Sequence, residues 1–176
     1  NNPKEDFASD ELEAKLQQIT TRPFYYGVWV YYPWNNQLLH LLPEDEFIIV
    51  RTSRNKYKIT PIEQNRLSTK KIGIIGLSVG HSVALTIALE RACEELRLCD
   101  FDILELSNYN RIRTKLSHLG MKKTTSVARE IAEIDPFLKV HCFHDGLTKE
   151  NIDNFFTDGG LLDLCIDECD SLDMKI

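Results

Sequence analysis

The sequence has no apolar run near the roughly 18 residues that a membrane-spanning helix needs, so a membrane-embedded reading is dropped at the outset. It has no C-x-x-C, the spacing on which most cysteine zinc sites are built. Its five cysteines, Cys93, Cys99, Cys142, Cys165 and Cys169, are an odd number set mostly in apolar stretches. That usage fits buried reduced thiols better than a disulfide framework and argues against a structural zinc. The opening NNPKED has neither an initiator methionine nor a charged-then-apolar leader, so cytoplasm is the expected compartment and the start reads as a boundary within a longer chain. Repeats and low-complexity tracts are missing too. What remains is 176 residues with 43% hydrophobic and 27% charged content, the composition of one globular core with a small appendage.

Excess charge of one sign is also absent from part of the chain. Residues 1–70 hold nine basic and nine acidic groups, so the whole net charge of -6 lies in residues 71–176, with twelve basic against eighteen acidic. Inside that acidic half, residues 108–129 carry Arg111, Arg113, Lys115, Lys122, Lys123 and Arg129 with no Asp or Glu. A local basic island in an acidic domain fits a small polyanion better than long nucleic acid, which needs a broad basic face.

Leu12, Leu16 and Ile19 recur at helical spacing, which predicts an amphipathic helix over 10–19 capped by Ser9 or Asp10. YYGVWVYYPWNNQLLHLL then reads as a β-hairpin around a Pro-Trp-Asn-Asn turn. Both of its faces are apolar, so it is expected to pack against the main domain or a second subunit. From Lys71 the pattern changes. KIGIIG reads as a buried strand and ELRLCD, LKVHCF and LLDLCID as three further strands, separated by helices over 79–93, 122–134 and 149–156, the second stopped at Asp135-Pro136. Strands alternating with helices predict an α/β fold with a Rossmann-like, doubly wound, mainly parallel sheet and right-handed crossovers. Because the sequence stops soon after a strand, the sheet is expected to be incomplete and the chain a fragment. The expected domains are 1–50, an N-terminal helix and hairpin extension, and 51–176, a nucleotide-binding domain.

Ligands of open α/β sheets sit beyond the carboxyl ends of the strands. The first such loop, IIGLSVGHS, offers Gly76 and Gly80 for a backbone approach to phosphate at a helix N-terminus. The G-x-G-x-x-G fingerprint is not met, because Ser78 and His81 stand where glycines belong, which counts against a dinucleotide. Asp100 ends its strand 24 residues after Gly76, where a Rossmann-type site places the acid for ribose hydroxyls. Asp102 is read as a solvated turn residue or a cap. Asn108, Arg111 and Lys123 follow on the same sheet edge, and two fixed cations beside a ribose acid fit a triphosphate better than NAD. The fourth strand ends in IDECDS. A carboxylate facing a triphosphate needs a cation between them, so Asp170 is the candidate Mg²⁺ ligand.

These residues resemble the ThiF/MoeB/HesA superfamily, whose adenylation domain is shared with the ubiquitin-activating enzymes. DFDILELSNYNR matches its D-x-D-x-x-x-x-S-N-x-x-R stretch, GMKKTTSVAREIAEIDP its G-x-x-K…(N/D)-P helix and CIDECDS its D-x-x-D strand end. RTSRNKYKITPIEQNRL resembles, more loosely, the segment preceding the first strand. The resemblance implies an ATP-dependent adenylyltransferase that activates a carboxylate, typically the C-terminus of a ubiquitin-like or sulfur-carrier protein. It implies ATP and Mg²⁺ as cofactors, with Gly76, Ser78 and Gly80 in the nucleotide loop, Asp100 on ribose, Asn108, Arg111 and Lys123 on phosphates, and Asp170 on magnesium. It further implies that Arg54 reaches into a neighbouring subunit's active site, hence a homodimer. GLSVGHS and the Trp-containing hairpin resemble a bacterial branch joined to a nitroreductase-like domain. Two alternatives stay open: a nucleotide-binding or partner-recruiting domain without turnover, motivated by Ser78, Val79 and His81 in the glycine loop, and an NAD(P)-dependent oxidoreductase.

Overall fold

The computed structural model describes residues 24–170 together with Glu13, Ala14, Leu16, Gln17, Thr20 and Thr21, all six of which are helical. The cap expected at Ser9 or Asp10, and the apolar positions Leu12 and Ile19, lie outside the described residues. Two compact units are present, Asn1–Ser53 and Arg54–Ile176.

In the first unit, β1 (Val28–Tyr32) and β2 (Gln37–Leu41) pair antiparallel with Val28 opposite Leu41 and Tyr32 opposite Gln37. The predicted Pro-Trp-Asn-Asn turn joins them. Asn36 takes the left-handed backbone that closes it, a conformation Asn tolerates well. Trp29 stacks on His40 across the strands at 4.3 Å between ring centroids. A helix that the sequence reading leaves as a link follows: α1 (Glu44–Thr52) starts after Pro43 with Glu44, Asp45 and Glu46 in its first turn, where carboxylates favour the helix dipole.

The second unit opens with a 3-10 turn (Asn55–Tyr57) and α2 (Pro61–Leu67), again inside the expected link. Thr60-Pro61-Ile62-Glu63 starts α2 through a capping box: the Thr60 hydroxyl accepts from the Glu63 N–H, and the Glu63 carboxylate accepts from the Thr60 N–H. The predicted alternation comes next: β3 (Lys71–Ile75), α3 (Gly80–Glu90), β4 (Glu95–Cys99), α4 (Lys123–Ile134), β5 (Lys139–Phe143), α5 (Ile152–Thr157) and β6 (Leu164–Asp167). The four strands form one parallel sheet in the order β5-β4-β3-β6, a Rossmann-like arrangement in which the chain crosses back past β3 to reach β6.

The central strands β3 and β4 are buried on both faces, while the edge strands β5 and β6 are partly exposed. Ala84 and Ala88 of α3 and Val127 and Ile131 of α4 pack on Ile72, Ile74, Leu96 and Leu98. On the other face Phe155 of α5 packs against Ile75 and Cys99. Gly73 permits this approach, because a Cβ there would lie 2.8 Å from the Phe155 ring and 2.6 Å from Leu162. Burial pushes the Cys93 and Cys99 thiols up to about 12 and that of Cys142 up to about 11, so all three are protonated core groups. No helix among the described residues is long and apolar enough to cross a membrane.

Two helix boundaries differ from expectation by three residues: α5, expected from 149, begins at Ile152, and α3 ends early. The helix expected to run to Cys93 ends at Glu90, because Arg91 turns left-handed at φ 52°. Neither Gly nor Pro marks that end, so local sequence is silent there. The Arg91 guanidinium is held by the fully buried Asp135 at 2.5 Å, a long-range contact that offsets the cost of left-handed backbone at a non-glycine residue.

Two buried polar networks fasten the elements. Arg97, in the middle of β4 and 1% exposed, donates from Nε to Glu95 at 2.7 Å. Its terminal nitrogens donate to the carbonyls of Phe155, Asp158 and Gly160, so the sheet holds the C-terminal end of α5. On the opposite face Glu130 of α4 receives His81 at 3.1 Å, Thr114 at 2.5 Å and Ser126 at 3.2 Å, with His118 bonded to Ser126 at 2.8 Å. Burial alone raises the Glu130 carboxyl, yet hydrogen bonds from His81, Thr114 and Ser126 outweigh it and hold the group below its usual range.

Arg97→Met strips the buried Glu95 carboxylate of its 2.7 Å donor, leaving Lys71 at 3.8 Å, and frees the end of α5; a loss of about 3–5 kcal/mol is expected in urea unfolding, with partial recovery in the Glu95→Gln/Arg97→Met double variant. The depressed Glu130 carboxyl contributes stability that is fully present above its unfolded value of about 4.5 and is lost as pH falls through the lower folded value. Glu130→Gln is therefore expected to melt earlier at pH 7 and to show a flatter fall in Tm below pH 4.5 than the parent, as read by circular dichroism.

Candidate nucleotide site at the carboxyl edge of the sheet

A cavity of about 320 Å³ opens at the carboxyl ends of β3, β4 and β6, where the strand order reverses. Its lining joins the loop after β3 (Gly76, Ser78), the loop after β4 (Asp100, Phe101, Asp102), Lys123 at the start of α4, Gly146 and Leu147 after β5, and Glu168, Cys169 and Asp170 after β6.

The loop after β3 has little freedom. Gly76 adopts φ 84°, and a Cβ there would lie 2.7 Å from the Glu168 carbonyl oxygen, so only glycine lets this turn pass the end of β6. The Gly76 N–H donates to the Cys99 carbonyl at 2.8 Å, and the Leu77 N–H to Asp100 Oδ2 at 2.7 Å. Gly80 has a different task. A Cβ there would meet Ile74 at 2.8 Å, so this glycine lets α3 lie close on β3, and it does not line the cavity.

Asp100 is 8% exposed, and its second oxygen accepts from the Asp102 N–H at 2.8 Å. One carboxylate thus ties the loop after β3 to the loop after β4. Lys123, 3% exposed, extends its ammonium to Asp102 Oδ2 at 2.6 Å and Ser78 Oγ at 3.2 Å, with Asp100 Oδ2 at 3.8 Å. Lys122 clamps the rim by donating to the carbonyls of Phe101 at 3.0 Å and His144 at 3.1 Å.

Five of the sequence-predicted residues, Gly76, Ser78, Asp100, Lys123 and Asp170, thus meet in one cavity. Asn108 and Arg111 do not line it. Asn108 is buried in the 3-10 turn Leu106–Asn110, where its Oδ1 accepts from the Glu105 N–H at 2.9 Å; Arg111 is exposed, with Nη1 donating to Asn110 Oδ1 at 3.1 Å and to the Ser107 carbonyl at 3.3 Å. Arg54 is exposed and precedes the turn that Asn55 fastens to the Glu90 carbonyl at 3.1 Å, at the end of α3 remote from the cavity. Three lining groups escaped sequence reasoning: Asp102, taken for a turn residue; Glu168, overshadowed by Asp170; and the apolar pair Phe101 and Leu147. The spacing of Asp102, two residues beyond Asp100, was a usable signal; the other two depend on loop geometry.

Among the described residues no group of three or more His, Cys, Asp or Glu side chains is arranged to hold a metal by itself. Glu168 and Asp170 nevertheless face the same cavity as Lys123. Four carboxylates, those of Asp100, Asp102, Glu168 and Asp170, stand against one ammonium there. That donor set of hard oxygens fits Mg²⁺ shared with a ligand's phosphates, since Mg²⁺ takes one or two carboxylates and completes its shell from substrate and water.

The ThiF family model matches residues 52–176. The uncharacterized protein MT1398 of Mycobacterium tuberculosis (strain CDC 1551 / Oshkosh) is 46% identical over 148 residues, 84% of this chain and 20% of that protein. Ubiquitin-like modifier-activating enzyme 5 of Drosophila willistoni is 28% identical over 96 residues, 54% of this chain and 24% of the enzyme. Among solved structures, E. coli tRNA N6-threonylcarbamoyladenosine dehydratase, TcdA, in complex with ATP matches with a TM-score of 0.64 at 23% identity, over 70% of this chain and 51% of that one. E. coli MccB with MccA matches with a TM-score of 0.52 at 24% identity, over 59% and 33% of the two chains. The chain therefore spans about a quarter or less of these curated relatives and at most about half of these solved chains. With a family match running from residue 52 to 176 and a Rossmann-like sheet carrying the cavity, this chain belongs to the ThiF family.

Proposed function

We propose that this chain forms the nucleotide-binding part of an ATP-dependent adenylating enzyme, which activates a carboxylate as an acyl adenylate and releases pyrophosphate. The observation that carries the reading is the buried Lys123 ammonium facing the carboxylates of Glu168 and Asp170 across one cavity at the strand ends. Such an arrangement supplies what attack at an α-phosphate needs, fixed positive charge for the leaving pyrophosphate and fixed position for the reactants.

In this reading Asp100 orients the ribose, and the backbone around Gly76 and Ser78 lies under the phosphates. Lys123 draws negative charge toward the start of α4. Asp170, with Glu168 beside it, would hold Mg²⁺, which when bound neutralises phosphate charge that those carboxylates would otherwise repel. Asn108 and Arg111 are proposed to join the phosphates from the 3-10 turn by a shift of the loop, in which the exposed Arg111 exchanges its bonds to Ser107 and Asn110 for phosphate. Phe101 and Leu147 offer the apolar surface against which a base can lie.

The acceptor proposed is the C-terminal carboxylate of a ubiquitin-like or sulfur-carrier protein, on the strength of the family and of a relative whose name is a ubiquitin-like modifier-activating enzyme. Arg54 supports a homodimer. It sits by the end of α3 remote from the cavity, and an eleven-residue helix is roughly 16 Å long, so it stands away from its own cavity, and its proposed role is in the second subunit's site. A nitroreductase-like domain elsewhere in the protein, the extension at 1–50 and a cytoplasmic location remain part of the proposal.

Asp170→Ala and Lys123→Met are each expected to lower magnesium-dependent pyrophosphate–ATP exchange with the acceptor by on the order of 10²-fold or more. A parent-like rate in Asp170→Ala removes the magnesium assignment, and ATP binding without any exchange by the full-length protein supports the non-turnover alternative. If Arg54 acts across a dimer, Arg54→Ala and Lys123→Met proteins, each inactive, regain exchange when mixed; no recovery in a mixture shown by light scattering to hold dimers counts against it.

A further inference from the structure

Lys123 is the group that sequence reasoning offers to a phosphate, yet its ammonium is already engaged. Asp102 Oδ2 lies 2.6 Å away, and Asp100 Oδ2 3.8 Å. The two acids have different freedom. Each oxygen of Asp100 accepts a backbone N–H, from Leu77 and from Asp102, and the side chain is 7% exposed. The Asp102 side chain is 48% exposed and reaches the cavity from its rim. Asp100 is thus a fixed part of the wall, whereas Asp102 is a carboxylate able to rotate into solvent. With Asp102 in place the Asp100–Lys123–Asp102 cluster carries a formal charge of -1, and an arriving anion meets repulsion in place of a cation.

We propose that Asp102 is a positioning residue that latches Lys123 and gives the ammonium up only to a polyphosphate. The inference rests on the nucleotide reading above and adds a means of selection to it. Asp102 neutralises the ammonium of a side chain that is 4% exposed and would otherwise be costly to bury. A singly charged anion gains too little from Lys123 to displace a bonded carboxylate and is turned away. A polyphosphate places several charged oxygens near the ammonium and can displace Asp102, whose release to water costs little because half of it is already there. The Lys123 backbone N–H donates to the Asp102 carbonyl at 3.0 Å, so the start of α4 stays attached to the loop when the side chains part.

The test uses Asp102→Asn, with Asp102→Glu as the conservative variant and Asp102→Asn/Lys123→Met as the control. In the absence of any nucleotide, acylation of Lys123 by an N-hydroxysuccinimide ester, read by peptide mass spectrometry, is expected to be faster in Asp102→Asn than in the parent and to return toward the parent in Asp102→Glu. In calorimetry, magnesium ATP and inorganic tripolyphosphate are expected to bind Asp102→Asn roughly threefold to tenfold more tightly, sulfate is expected to compete more effectively, and the double variant is expected to lose the gain. Unchanged or slower acylation together with unchanged or weaker polyphosphate binding overturns the latch. If the parent takes up neither magnesium ATP nor tripolyphosphate, the nucleotide reading fails; the acylation rate still decides whether Asp102 holds Lys123.

Discussion

The cavity depends on one carboxylate being used twice. Asp100 ends β4 and accepts the N–H of Leu77 from one loop and the N–H of Asp102 from another, so two chain reversals that share no sequence neighbourhood are fixed relative to each other. Without that bridge the turn after β3 would be held mainly by the Gly76 bond to Cys99 and by packing under Glu168. A buried acceptor with two backbone donors is also well satisfied, which is why an acid can occupy a largely apolar strand end without a dedicated cation in contact. Lys123, at 3.8 Å, lends long-range support and is left to serve Asp102 and Ser78.

The same geometry explains why the glycine loop departs from the dinucleotide fingerprint and still forms. Two positions in it require glycine for reasons visible in the packing: Gly76 because the Glu168 carbonyl occupies the place of a side chain, and Gly80 because Ile74 does. Positions 78 and 81 carry no such demand. Ser78 directs its hydroxyl to Lys123, and His81 enters the Glu130 network on α4, where a glycine would leave a buried carboxylate short of a donor. The substitutions that look like losses in a motif are thus contacts between α3, the loop and α4.

Much of this was legible from residue order, because period and strand ends report directly on an α/β sheet. KIGIIG, ELRLCD, LKVHCF and LLDLCID are the four parallel strands, and Asp100, Lys123 and Asp170 come to one edge because the topology brings strand ends together. What was not legible depends on partners distant in sequence. The end of α3 at Arg91 is set by Asp135, the docking of α5 by Arg97, and the placement of Arg111 outside the cavity by the 3-10 turn that Glu105 and Asn108 cap. Asp102 is an exposed loop acid as expected, but its contact with Lys123 is not legible for a related reason: a turn acid and a buried lysine 21 residues later give no local hint that they will touch. The helices α1 and α2 were readable in principle, through the acidic first turn of one and the capping box of the other.

Charge and shape in the cavity then divide its work. Ile75, Cys99, Phe101 and Leu147 make an apolar wall, and burial keeps the Cys99 thiol protonated and inert, so this part adds no nucleophile and no charge. The acids and the lysine stand in the same opening. An apolar wall lowers the effective dielectric around those charges, so an ion pair made or broken there carries more energy than it would on an open surface. For that reason Lys123 is paired with Asp102 in this cavity, and any occupant must bring enough charge to replace the carboxylate that covers it. Selection by charge follows from burial: the wall that would strengthen Lys123's grip on a phosphate also makes a standing partner for Lys123 necessary before the phosphate arrives.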